Sequence, residues 1–161
     1  MVHWLLNRTA MDNNEKKIDL VNRAVEINND RIKGYEKAIE IAGDANLREL
    51  QELFRQYIEQ SRQFITELSP YLERYGQEPT EDSNFTGKIF RIWMDIKSAI
   101  SPSISQAILE SCEKGEDEFK ETYKEILSDC LDEFQELIDV LQQQLATQLE
   151  AHQKIKELRD Y

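Results

Sequence analysis

The sequence predicts an all-α protein built as a bundle of four long amphipathic helices. Three observations predict it. Apolar residues recur at alternating spacings of three and four along four separate stretches, which puts them on one face of a helix. Breakers are scarce, with 5 Gly and 3 Pro among 161 residues. Charged residues make up 32% of the chain against 40% apolar, the balance required when each helix buries one face and wets the other. The length suits one domain with a sizeable core.

The first helix is expected over residues 15–42, with the seam Ile18, Val21, Val25, Asn28, Ile32, Tyr35, Ile39 and Ala42. A second stripe through Leu20, Ala24, Ile27, Arg31, Gly34, Ala38 and Ile41 lies beside it, so this helix touches more than one neighbour. Gly43 and Asp44 read as its stop, with the glycine as C-cap. Residues 1–14 read as a flexible N-terminal extension ahead of a bundle domain over 15–161. Within that extension MVHWLLNRTA is too short an apolar patch for a signal peptide, and Met11 would serve as a natural chain start.

The second helix is expected over 46–75, with Leu47, Leu50, Phe54, Tyr57, Ser61, Phe64, Leu68 and Tyr71 on its seam. Pro70 removes one backbone donor and bends its last turn. The short link makes helices one and two an antiparallel hairpin. A polar loop over 76–84 leads to a shorter helix over 85–100 carrying Ile89, Trp93 and Ile96. Ser101 reads as the cap of the third helix, with Pro102 in its first turn. That helix covers 103–129, with the seam Leu109, Cys112, Glu116, Phe119, Tyr123 and Ile126. The fourth covers 131–159 through Leu131, Phe134, Ile138, Leu141, Leu145, Gln148, His152 and Ile155.

The connection between helices two and three decides the topology. It spans 27 residues (76–102) and contains its own helix, about 24 Å long at 1.5 Å per residue. An up-down-up-down bundle needs no such element, whereas a ferritin-like bundle needs a crossover that travels its length. Helices one and four then run parallel, as do two and three. Five blocks point the same way: EINNDRIKGYEKA from Glu26, QSRQFITEL from Gln60, RIWMDIKSA from Arg91, ESCEKGED from Glu110, and AHQKIKELRD from Ala151. In this order they resemble an uncharacterised bacterial domain-of-unknown-function family of four-helix-bundle proteins in the ferritin-like superfamily. The resemblance runs from Ile18 to the C-terminus. It implies the ferritin-like fold and a bacterial source. It brings no established activity, and a role in stress physiology follows only by analogy with the superfamily.

Composition excludes several partners. A net charge of −12 repels nucleic-acid backbones and anionic membrane surfaces. No stretch approaches the ~20 apolar residues of a membrane span. Cys112 and Cys130 sit on one expected helix roughly 27 Å apart, beyond disulfide reach, which fits a reducing, cytoplasmic setting.

Chemistry must come from polar residues on the seams. Asn28, Arg31, Ser61, Glu116 and Gln148 are expected to form a buried polar layer, with Asn28 facing Ser61 and Arg31 pairing with Glu116. Such a layer fixes helix register while contributing little net stability. A di-iron site needs Glu-x-x-His pairs, and residue 149, three before His152, is Leu149, while His3 lies outside the bundle. No nucleophile–base pair or phosphate loop is apparent, so no catalytic residue and no organic cofactor are expected. The leading expectation is a non-enzymatic binding or structural module, which could form a homo-oligomer. One alternative is a divalent metal site of iron, manganese or zinc on Glu116, His152, Glu113 and Glu36. Another is a protein-interaction domain that exposes Trp93 on the crossover helix, although Trp93 is first read as pinning that helix to the bundle. Gly34 and Gly115 are read as points of close packing against Trp93 or a tyrosine.

Overall fold

The computed structural model describes residues 2–83, 91–93, 96 and 103–161, with side chains from Asn13 onward. The described residues include four long helices: α1 (Val2–Asp44), α2 (Arg48–Glu73), α3 (Ile104–Asp129) and α4 (Gln135–Arg159). There is no strand among the described residues. Nor is any helix among them long and apolar enough to cross a membrane.

Helix ends follow local chemistry more than seam position. The first helix starts at Val2 instead of residue 15, because nothing in the segment before the seam breaks it: residues 2–14 hold no Gly or Pro. Its stop is not Gly43 but Asn46, which takes the left-handed conformation at φ 58°. The amide of Leu47 donates to the carbonyl of Ala42, and that of Asn46 to Gly43, a Schellman closure. Gly43 instead makes room. A Cβ there would come within 2.7 Å of Gln51 Nε2, which donates to the Ile39 carbonyl. The same closure ends α2 on Gly76, at φ 72°. Pro70 lies inside α2, as expected. The cap of α3 is Ser103, whose hydroxyl accepts from the Gln106 amide. Ser101 and Pro102, assigned that task above, lie outside the described residues, as does most of the expected helix over 85–100. Residues 91–93 and 96 of that stretch are helical.

Side-chain pairs fix the helix directions. Gln51 reaches Ile39 while Tyr75 reaches Asn14, so α1 and α2 are antiparallel. Arg23 pairs with Asp129 and Arg31 with Glu116, so α1 and α3 are antiparallel. Tyr123 meets Gln144 and Glu113 meets Arg159, which makes α3 and α4 antiparallel. Gln144 reaches the Phe64 carbonyl and Arg74 reaches Glu136, which does the same for α2 and α4. Each of α1 and α4 packs on both α2 and α3. The diagonal pairs, α1 with α4 and α2 with α3, therefore run parallel.

The end of α2 and the start of α3 accordingly lie at opposite ends of the bundle. The described residues between them climb along α1. Tyr75 touches Asn14, Asn29 Nδ2 donates to the carbonyls of Thr80 and Asp82, and Trp93 shares a cavity wall with Gly34 and Tyr35. Ser105 then shares a cleft with Asn46 and Leu47 at the far end.

The core is continuous through all four helices and includes Phe54, Phe119, Tyr123, Leu137 and Leu141. Phe119 and Tyr123 stack at 4.3 Å, and Tyr35 lies 5.4 Å from both Phe54 and Tyr57. Aromatic pairs at these separations add to simple burial.

Candidate functional site

Two polar layers cross the core, and a third cluster sits at the rim between α3 and α4. The first layer is centred on Glu116, which is 1% exposed. Its Oε1 accepts from Arg31 Nε at 2.8 Å and from the Tyr35 hydroxyl. Its Oε2 accepts from Gln148 Nε2 at 2.6 Å, and the same amide reaches the Glu116 carbonyl at 3.0 Å. Arg31 Nη1 donates to Ser61 Oγ at 3.1 Å. The guanidinium also lies over the rings of Tyr35, Tyr57 and Phe119 at 5.7, 5.6 and 5.3 Å. All four helices thus contribute to one charge-compensated knot.

Its electrostatics are those of a buried ion pair. Burial disfavours the Arg31 charge, but the adjacent Glu116 carboxylate, by its charge and its hydrogen bond, is the chief influence that outweighs it and raises the pKa above the ordinary arginine value. Burial, reinforced by Glu116, pushes the Tyr35 hydroxyl well above the ordinary tyrosine value and Tyr57 up to about 12. The same two causes push the Cys112 thiol well up, so it stays protonated and inert as a nucleophile.

The second layer lies about two turns further along α3, toward its C-terminal end. Asn28 Nδ2 donates to the Tyr123 hydroxyl and to the Ala24 carbonyl, both at 2.9 Å. Tyr123 donates to Gln144 Oε1 at 2.6 Å. Gln144 Nε2 donates in turn to the Phe64 carbonyl and to Glu67 at 3.1 and 3.0 Å. Ser61 therefore meets Arg31 and not Asn28, because the longer arginine reaches across to α2 while Asn28 turns toward α3. Tyr35, Tyr123 and Gln144 escaped sequence reasoning. The available signal was that a tyrosine on an apolar seam carries a hydroxyl that needs a partner.

A small cavity of about 20 Å³ adjoins the first layer, lined among others by Arg31, Tyr35, Trp93, Cys112, Gly115 and Glu116. That is room for one water. Arg31 Nη2 has no hydrogen-bond partner among the described residues. A Cβ on Gly115 would meet nothing within 4 Å, so the close packing expected there is absent and the space belongs to the cavity wall. Trp93 is buried, in the pinning position and not on an outer surface.

The rim cluster is separate. Glu113 and Asp117 stand one turn apart on α3, and His152 faces them from α4. Each offers a ligand atom, and these atoms all lie within 4.8 Å of one another. His152 Nε2 is 2.7 Å from Asp117 Oδ1, Arg159 Nη1 pairs with Glu113, and Lys120 Nζ is 3.8 Å from Asp117. Of the four residues considered for a metal, the structure brings together Glu113 and His152. Glu116 points around the helix into the core and Glu36 is exposed on α1. Asp117, which falls off the seam, completes the group.

Comparison with known proteins adds one result. The profile of a family described as Domain of unknown function (DUF2383) matches residues 16–129. No curated protein matches. No solved structure matches.

Proposed function

The chain belongs to the DUF2383 family, and from that premise we propose that it is a ferritin-like bundle acting as a non-enzymatic binding or structural module. The parallel diagonals and the path of residues 75–105 along α1 support the ferritin-like topology. The functional reading is carried by one observation: the carboxylate at the bundle centre is bound to a guanidinium. Bundles of this architecture build metal centres from inward-facing carboxylates and histidines. Here Arg31 fills that position, and a guanidinium has no lone pair to give a metal. A centre so arranged sets helix register and excludes other packings. A bacterial, cytoplasmic protein fits the family resemblance and the two free cysteines.

The test is iron chemistry at the centre. Protein purified without chelator is incubated aerobically with ferrous iron, then desalted and analysed for metal. The reading expects ferrous oxidation no faster than in buffer, and no metal whose retention depends on Glu116. Stoichiometric iron that disappears in Glu116→Ala would overturn it.

A further inference from the structure

We propose that Glu113, Asp117 and His152 form a binding site for one divalent transition-metal ion of the zinc class, and that Arg159 is the counter-ion such a metal displaces. The proposal rests on the α3–α4 rim alone and stands apart from the reading of the core.

The donors converge from two helices. Residues four apart share a helix face, so Glu113 and Asp117 project side by side from α3. Antiparallel packing sets His152 of α4 opposite them, with all three ligand atoms inside 4.8 Å. A tetrahedral zinc with bonds near 2.1 Å holds its ligands about 3.4 Å apart, so closing the site takes roughly an ångström of movement. Asp117 Oδ1 and His152 Nε2 are already nearer than that. The required motion falls on side chains that are all partly exposed and can turn without disturbing the core.

The donor types select the ion. One imidazole nitrogen and two carboxylate oxygens supply three positions of a zinc tetrahedron and leave the fourth open. Calcium takes six to eight oxygen ligands, and magnesium keeps most of its waters, so neither gains from an imidazole. The imidazole is the donor that suits zinc and its neighbours in the divalent series, and His152 supplies it.

Charge explains how the apo cluster holds together and what the metal must overcome. Two carboxylates stand close together in a protein of net charge −12. Arg159 neutralises Glu113, and Lys120 lies beyond Asp117. A dication between the carboxylates replaces the arginine's single charge with two. Once displaced, Arg159 still has Asp160, which it already contacts at 2.8 Å. Metal binding thereby unlatches the last turn of α4 from α3.

Calorimetric titration of the full chain with zinc chloride in a non-chelating buffer tests this. The expected result is one equivalent bound with micromolar affinity. His152→Ala and Asp117→Asn should each weaken binding by more than about tenfold, since losing even a residue that merely orients a ligand costs about that much. Circular dichroism checks that both variants keep their helices. Arg159→Gln should bind several-fold more tightly, and millimolar magnesium should neither bind nor compete. An absence of zinc binding, or binding unchanged in both His152→Ala and Asp117→Asn, overturns the site; the latter result places the zinc elsewhere, for example on Cys130. Equal affinity of Arg159→Gln and the parent overturns the displaced counter-ion.

Discussion

Removing either partner of the Arg31–Glu116 pair should unfold more of this protein than removing both. Glu116→Leu leaves a guanidinium that is 3% exposed with Ser61 Oγ as its one remaining side-chain acceptor among the described residues. Its three aromatic neighbours offset part of that loss. Arg31→Met leaves a buried carboxylate held by two neutral donors, Tyr35 and Gln148. Breaking one side of a buried pair costs about 3–5 kcal/mol, so the two single losses sum to roughly 6–10 kcal/mol. The double variant Arg31→Met/Glu116→Leu carries no buried charge. Apolar replacement of a whole pair gains up to about 4 kcal/mol. Against that stand the lost partners of Tyr35, Gln148 and Ser61, each worth about 1 kcal/mol or more. The double variant should therefore lie within about 3 kcal/mol of the parent, leaving a coupling of at least about 3 kcal/mol. Urea denaturation followed by far-UV circular dichroism measures all four proteins, and equal slopes would show that the unfolded states compare. Additive losses would refute the argument, because they would mean the two side chains do not depend on each other inside the bundle.

Tyr123→Phe removes the hydroxyl that links Asn28 to Gln144, and should cost about 1–3 kcal/mol in the same denaturation assay. Gly115→Ala should stabilise by about 0.5–1 kcal/mol, since the new methyl meets no atom and a helix-interior glycine is relieved; a loss in melting temperature would contradict this. Trp93→Ala should cost about 3–5 kcal/mol and leave the oligomeric state by light scattering unchanged, because the ring is buried. Alkali should unfold the protein with a steep dependence on pH. Burial raises the pKa of Tyr35 and Tyr123, so above the ordinary value of about 10 the unfolded chain sheds protons that the folded chain keeps. The contribution of these two tyrosines is then full below about pH 10 and falls by roughly 1.4 kcal/mol per pH unit for each as pH rises further. Tyrosinate absorbance should rise in step with loss of helix, and titration of all 6 tyrosines near pH 10 with the helices intact would refute the assignment.

The four rods were legible in the sequence because burial of one helix face writes a three-and-four rhythm that little else produces. Their ends were less legible. Val2 begins α1 because a segment without breakers extends a helix that already exists, and seam position carries no information about that. Asn46 ends it because asparagine, like glycine, tolerates the left-handed conformation, and the two candidates stand three residues apart. Arg31 and Glu116 could be matched by level once antiparallel packing was assumed. The roles of Tyr35 and Tyr123 could not, because seam reading counts a tyrosine as apolar and overlooks its hydroxyl. Asp117 was illegible for a related reason. An off-seam carboxylate reads as solvated, and only the rotation of α4 about its own axis decides whether His152 turns to meet it.

The two polar layers have a consequence for topology that the apolar seams lack. Leucines and isoleucines on four similar helices would tolerate a register slip of one heptad, or a reversed third helix, at small cost. The first layer draws Arg31 and Tyr35 from α1, Ser61 from α2, Glu116 from α3 and Gln148 from α4. The second draws Asn28, the Phe64 carbonyl, Tyr123 and Gln144 from the same four helices. Asn28 precedes Arg31 on α1 and Tyr123 follows Glu116 on α3, so the layers occur in opposite chain order on those helices. Running α3 the other way would bring Tyr123 beside Arg31 and carry Glu116 to the level of Asn28, leaving an arginine without its carboxylate. Sliding any helix by one heptad would break both layers at once. The polar core thus specifies an arrangement in which α2 and α3 run parallel.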